Sequence, residues 1–202
     1  MLSLSPVLPW RSLKAWSSDF RHSVMNHEVN ANRVKFHPQA SSLIIHNLSL
    51  QATSLGNLGL LSVSKTALFC SARCPGKEIL RIYDQAAKWR DEGRCVISGF
   101  HSPVEKECLR ILFRGSQPII ICPARALPKR IPTEWREPMA KGRLLILSFF
   151  SKAETRVTAE LADRRNELVA ALADDIFVAH ATPNGRLAQT LRKLPGWVFT
   201  GP

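Results

Sequence analysis

Hydrophobic positions in this chain fall into short continuous runs separated by longer stretches of mixed polarity. The runs are residues 66–70, 94–98, 118–122, 143–149 and 176–179, each about the length of a strand. The stretches between them carry a helical period. Residues 75–92 place Ile79, Ile82, Tyr83, Ala86 and Trp89 on one face, and Gly93 follows at the position where helices commonly end. Pro103 opens a second helix at its favoured first position, with Val104, Cys108, Ile111 and Leu112 turned inward until Gly115. A short helix is expected around residues 134–140. A stronger one covers 157–173, with Leu161, Leu168, Val169 and Leu172 inward, and a last helix covers 185–194 ahead of a short strand at 197–200.

Strands that alternate with helices through short loops predict an α/β fold. The strand runs are continuously apolar rather than alternating, which is the pattern of strands covered on both faces. The expected architecture is therefore a Rossmann-like open sheet, mostly parallel, with helices on both faces. Residues 56–202 form this domain. Residues 1–55 have a different texture, rich in Ser and Asn and without a sustained period, and are expected to be a poorly structured N-terminal extension. Only residues 41–50 are patterned there as a strand. The segment shares its Arg- and Ser-bearing, acid-poor composition with transit peptides; the plainer reading is a disordered extension, or sequence upstream of a later start such as Met25. Its four histidines, His22, His27, His37 and His46, are too irregularly spaced for a metal site.

Charge narrows the partners. The net charge is +12, and only six of the 28 Lys/Arg and two of the 16 Asp/Glu lie in residues 1–65, so the domain is basic in its own right. Such a balance favours polyanions, with nucleic acid or a membrane surface as the usual candidates. No run approaches the roughly 20 apolar residues of a membrane span, and the N-terminus lacks a secretion signal pattern. A cytoplasmic protein without membrane contact is expected. The five cysteines (Cys70, Cys74, Cys95, Cys108, Cys122) are odd in number and irregular in spacing. They read as reduced, structural residues, and neither a metal nor a cofactor is implied.

In sheets of this kind ligands bind beyond the carboxyl ends of the strands. The residues expected there are Ser71 and Arg73, then Ser98, Gly99 and His101, then Pro123 and Arg125, then Ser148, and finally His180, Thr182, Asn184 and Gly185. The set holds hydroxyls, glycines, Arg and His but no Asp or Glu, so it suits an anion better than general base catalysis. Ser71 and Ser98 serve equally well as helix caps. His101 and His180 read as surface or hydrogen-bonded histidines, and Arg164-Arg165-Asn166 is either a solvated helix face or part of the ligand edge. G-x-G-x-x-G, G-x-x-x-x-G-K-[ST] and G-x-S-x-G are absent, which argues against an ordinary dinucleotide enzyme, a P-loop NTPase and an α/β-hydrolase.

The runs T-A-L-F-C-S-A-R, V-I-S-G-F-H-S-P-V-E-K-E-C-L, R-G-S-Q-P-I-I-I-C-P-A-R and G-R-L-L-I-L-S-F-F, followed by T-A-E-L-A-D-R-R-N-E-L-V-A-A-L-A-D-D-I-F-V-A-H-A, resemble the DprA/Smf family. This is the DNA-processing family of natural transformation, within the SLOG class of Rossmann-like domains. The resemblance spans residues 58–200. It implies a module that binds single-stranded DNA, protects incoming strands and helps load a RecA-type recombinase, often as a homodimer. The family's G-S-R turn falls on Cys70, Ser71 and Arg73, its S-G turn on Ser98-Gly99, and its R-N-R motif on Arg165-Asn166. Cys70 replaces a glycine, Ala72 intervenes before the arginine, His101-Ser102-Pro103 stands where R-G-I-D is expected, and Glu167 takes the second arginine position. Pro183-Asn184-Gly185 approximates the family's last S-G-[ST] turn.

The expected function is thus non-catalytic binding of single-stranded DNA. Arg73, Arg125, Arg164 and Arg165 would contact phosphates, Ser71, Ser98 and Gly99 would supply donor turns, and Asn166, Asn184 and Gly185 would complete the site. Phe100 and Phe149 are the candidate stacking platforms. The alternative is a nucleotide sensor, or a phosphoribohydrolase like the LOG enzymes, which need a glutamate after the glycine-rich turn. Residues 186–193 contain no acid.

Overall fold

The computed structural model describes residues 39–45 and 48–193. Residues 197–200, expected as a last strand, lie outside them, as do residues 1–38. The elements follow one another as β1 (Gln39–Ile45), β2 (Leu48–Gly56), a 3-10 helix (Leu58–Ser62), β3 (Lys65–Cys70), α1 (Gly76–Asp91), β4 (Cys95–Ser98), α2 (Pro103–Phe113), β5 (Ile119–Ile121), α3 (Thr133–Ala140), β6 (Leu144–Ser148), α4 (Ala159–Leu172), β7 (Asp175–His180) and α5 (Arg186–Arg192).

All seven strands form one sheet in the order β1-β2-β6-β5-β4-β3-β7. From β6 to β7 neighbours are parallel, while β1, β2 and β6 are joined antiparallel. The mostly parallel α/β sheet read from the hydrophobic runs is therefore present. It starts earlier than residue 56, however. β2 lies within the segment read as a poorly structured extension, and it places Thr53 opposite Ser148 on β6. Its sequence, L-S-L-Q-A-T-S-L-G, alternates with period 2 rather than running continuously apolar, the mark of an antiparallel strand.

Strands β3 to β6 are buried along their whole length because each sends alternate side chains into two different cores. Ala67, Phe69, Ile97, Ile120 and Leu145 enter one cluster with Val169 and Ala170 of α4 and Leu191 of α5. Leu68, Val96, Ile119 and Leu144 enter the other, with Ile82, Ala86 and Trp89 of α1 and Val104, Cys108 and Leu112 of α2. Helices thus cover both faces. Among the described strands β7 is at the edge and only half-buried, and its Phe177 meets Trp89 edge to face at 5.0 Å between ring centroids.

Local signals set the helix ends. Ser102 accepts from the Glu105 amide and Glu105 accepts in return from the Ser102 amide, a capping box with Pro103 at the first helical position. Thr158 caps α4 by accepting from the Leu161 amide. Gly93 follows α1 with φ +71°, a conformation that costs glycine little.

Replacing Leu145, which is fully buried in the centre of the sheet, with alanine is expected to destabilise the fold by about 2–5 kcal/mol. Leu80→Ala, at a position 68% exposed, should stay within about 0.5 kcal/mol of the parent. Urea unfolding midpoints of the two variants check this.

Candidate functional site

The chain winds outward from β3 through β4 and β5 to β6, then returns to place β7 on the other side of β3. The connections after β3 and after β7 therefore diverge, and a cleft opens at the carboxyl ends of these two strands. It measures about 490 Å³ and is lined by Ala72, Arg73, Cys74, Pro75, His180 and Thr182. Ser71 immediately precedes its first wall residue, Ala72. The Ser71 amide donates to the His180 carbonyl at 2.8 Å, and the Ser71 hydroxyl oxygen accepts from the Thr182 amide at 3.0 Å. Ser71 is therefore a stitch between β3 and the β7 turn, and its amide is spent within the protein. Arg73 is exposed at the mouth, with no carboxylate within ion-pair distance among the described residues.

The turn after β4 is held from below by a carboxylate absent from the sequence-derived set. Glu105 is 6% exposed. Its Oε1 accepts from the Cys70 amide at 2.9 Å, and its Oε2 accepts from the amides of His101 and Ser102 at 2.8 and 3.0 Å. One side chain in the first turn of α2 thereby joins the end of β3 to the β4–α2 loop. The pattern Ser102-x-x-Glu105 beside Pro103 is a capping-box signature and was the available signal.

Ser98 is fully buried, and its hydroxyl accepts from the Phe100 amide at 3.2 Å, so it shapes the turn. Gly99 is required by what lies against it: a Cβ there would fall on the guanidinium of Arg165. Arg165 is 4% exposed. It donates through Nη1 to the Cys122 carbonyl at 3.0 Å and through Nε to Asn166 Oδ1 at 2.8 Å. Burial presses against its charged form, opposed by Glu105. Arg165 is thus a buried support beneath the β4 and β5 turns, steadied by the half-buried Asn166, whereas Arg164, one residue earlier, is exposed.

Arg125 is exposed after β5, and its carbonyl accepts from the Ser148 hydroxyl at 2.8 Å. The loops after β5 and β6 are further joined by a bond from the Ala126 amide to the Glu154 carbonyl at 2.8 Å. Arg164 lies across from these loops in a second hollow of about 380 Å³, with Gln51, Thr53, Ser148 and Glu154 among its walls. Asn184, exposed with φ +57°, and Gly185 form the turn after β7, where the Gly185 amide donates to the Thr182 carbonyl. Phe100 and Phe149 are 5% and 8% exposed and belong to the core, so neither presents a face for stacking. Residues from every parallel strand turn thus meet along one edge, with Arg73 and Arg164 towards its two ends.

That edge is electropositive. At His101, partial burial and the neighbouring cations Arg165, Lys106 and Arg125 together outweigh Glu105 and hold the imidazole below its ordinary value of 6.5. Among the described residues no cluster of His, Cys, Asp or Glu could hold a metal ion, and no helix is long and apolar enough to cross a membrane.

No family model matches the chain, and neither does any curated protein. Solved structures do. DNA processing protein A from Helicobacter pylori, studied for its single-stranded DNA binding mode, superposes with a TM-score of 0.62 at 19% identity, over 78% of this chain and 76% of that one. DNA processing protein A from Streptococcus pneumoniae gives a TM-score of 0.63 at 18% identity, over 79% of this chain but only 59% of that one. The chain therefore has the fold of these proteins.

Two outcomes follow. Glu105→Gln keeps the shape but turns an amide toward three backbone N–H groups, and is expected to destabilise by about 1–3 kcal/mol in urea unfolding. As pH falls, the unfolded state takes up the His101 proton before the folded state does. The stability tied to His101 is full above about pH 6.5 and declines as pH drops from there through the lowered folded value. His101→Gln should therefore lose less stability than the parent between about pH 7.5 and about pH 5.5, read from urea midpoints at both.

Proposed function

We propose that this chain binds single-stranded DNA along the carboxyl edge of its sheet, through phosphate contacts and without catalysis. The observation that carries this reading is the sorting of charge. Arg73, Lys106, Arg125, Lys152, Arg156 and Arg164 are all exposed on that side and have no carboxylate within ion-pair distance among the described residues. At the opposite edge most cations are paired, as in Lys65–Asp174, Arg94–Asp175, Lys88–Glu92 and Lys141–Glu137, with Arg114 and Arg192 exposed and outside any ion pair among the described residues. At the carboxyl edge Arg186 is paired, with Asp163 and Glu160.

A row of unpaired cations along several strand turns suits a polymer of phosphates better than a single small anion. Four strand intervals of about 4.8 Å separate β7 from β6, an edge of roughly 19 Å. The likeness in fold to a single-stranded-DNA-binding protein supports DNA as the polymer. Catalysis has little to work with. Both Glu105 and Glu154 accept backbone amides, and the first turn of α5 holds no acid, which weighs against glycosidic-bond cleavage of a nucleotide. In its finer form the proposal places the protein in the cytoplasm, as a homodimer that holds DNA taken up in natural transformation for a RecA-type recombinase. The support for that form is the likeness to DNA processing protein A.

The test is fluorescence polarisation of a labelled poly-dT oligonucleotide with the full chain over a range of salt. Affinity should fall steeply with salt, and Arg73→Ala should weaken binding about tenfold while reducing the salt slope by about 0.7. Lys88→Ala removes the same charge from an ion pair at the far edge and should leave binding unchanged. Equal losses in the two variants, or salt-insensitive binding, would overturn the reading in favour of mononucleotides.

A further inference from the structure

The five cysteines are all free, and four are buried as small apolar side chains. Two of them are placed for more than packing. Cys70 ends β3 and is 6% exposed, while Cys74, half-buried, precedes the N-cap of α1 and lines the cleft. Cys74 packs against the apolar cluster that contains Cys70, so both side chains turn to the same core across a three-residue bend, and each thiol perturbs the other. Their remaining contacts are weak, from Cys70 Sγ to the Ser71 carbonyl at 3.5 Å and from Cys74 Sγ to the Pro75 carbonyl at 3.8 Å. Between them runs Ser71-Ala72-Arg73, the turn that carries the exposed arginine of the cleft.

We propose that Cys70 and Cys74 are an oxidisable dithiol, which hydrogen peroxide closes into a disulfide that fastens the Arg73 turn to the end of β3. Cys74 faces the open cleft and reacts first. Its sulfur attacks one peroxide oxygen, the O–O bond breaks, and a sulfenic acid and water are formed. The Cys70 sulfur then displaces the hydroxyl from Cys74, the S–S bond forms, and a second water departs. Two electrons pass from the sulfurs to the peroxide, and each thiol gives up its proton. Burial pushes both thiols up from their ordinary range. The thiolate is scarce at neutral pH, and closure is slow there and faster in alkali. Cys108, fully buried on α2, is the competing partner for Cys70.

The modification does not depend on what the cleft binds, so its test is separate from oligonucleotide binding. The reduced full chain is treated with hydrogen peroxide, its remaining thiols are alkylated, and it is digested with trypsin without reductant. Cleavage after Lys65, Arg73 and Lys77 yields peptides 66–73 and 74–77, each with one cysteine. The expected result is a single species joining the two, split by a dithiol reductant, with Cys95, Cys108 and Cys122 alkylated. It should form faster above neutral pH and be lost in Cys74→Ser. Recovery of the two peptides apart, with Cys74 alkylated or over-oxidised, would overturn the proposal, and so would linkage of 66–73 to the peptide carrying Cys108. Mapping on the unaltered chain decides between these outcomes without any variant.

Discussion

The Glu105 carboxylate is the constraint on which the ligand edge depends. A charged group this deeply buried is tolerated only when its lone pairs are taken up and its charge is opposed. Three backbone amides accomplish the first, and they come from two different strand turns. The second comes from position in the first turn of α2, where the helix dipole is positive, and from the buried Arg165 guanidinium close by. Glu105 and Arg165 do not form a direct ion pair. Glu105 is satisfied by backbone amides, and Arg165 by the Cys122 carbonyl together with Asn166 Oδ1. That arrangement fixes loops rather than side chains, so the turns after β3, β4 and β5 hold one relative position.

Gly99 belongs to the same arrangement. Arg165 reaches the Cys122 carbonyl by occupying the space that a side chain at residue 99 would fill, so the glycine, the arginine and the β5 turn constrain one another. The cost of closing this layer appears at Phe100, held at φ +45° with its ring in the core. On the far side of β3, Ser71 joins the β7 turn to the same frame through two hydrogen bonds. The cleft at the switch point therefore has a rigid frame and an exposed cationic rim.

The fold was legible because its central strands are buried on both faces, which converts two-sided packing into unbroken apolar runs such as Ile119–Ile121. The β1–β2 pair was harder to read because an antiparallel edge alternates, and the alternation in residues 48–56 is diluted by Ser, Thr and Gln. Arg73 and Arg125 were legible as edge cations because they follow strands directly. The roles of Ser71, Ser98 and Arg165 were not, since sequence gives a residue's place in the chain but not which way its donors point. Glu105 lies in a helix rather than a strand turn, and only the capping-box spacing marks it in the sequence. Cys70 and Cys74 read as separate packing residues because their proximity is produced by the strand-turn-helix bend between them.

Two sources of positive potential coincide at one edge of this molecule. The helices run antiparallel to the strands, so the amino ends of α1, α2 and α4 all point to the carboxyl edge and add their dipoles there. A row of unpaired arginines and lysines lies at the same edge, while ion pairs at the opposite edge remove part of the charge that would otherwise offset them. A net charge of +12 spread evenly would attract a polyanion without orienting it. Unpaired cations gathered on one side would give an approaching polyanion a preferred face at distances up to the Debye length, about 10 Å at 0.1 M salt. Because the arginine side chains are exposed while the loops beneath them are locked by Glu105, Arg165 and Ser71, the frame is rigid where position matters. Its cations remain exposed above that frame.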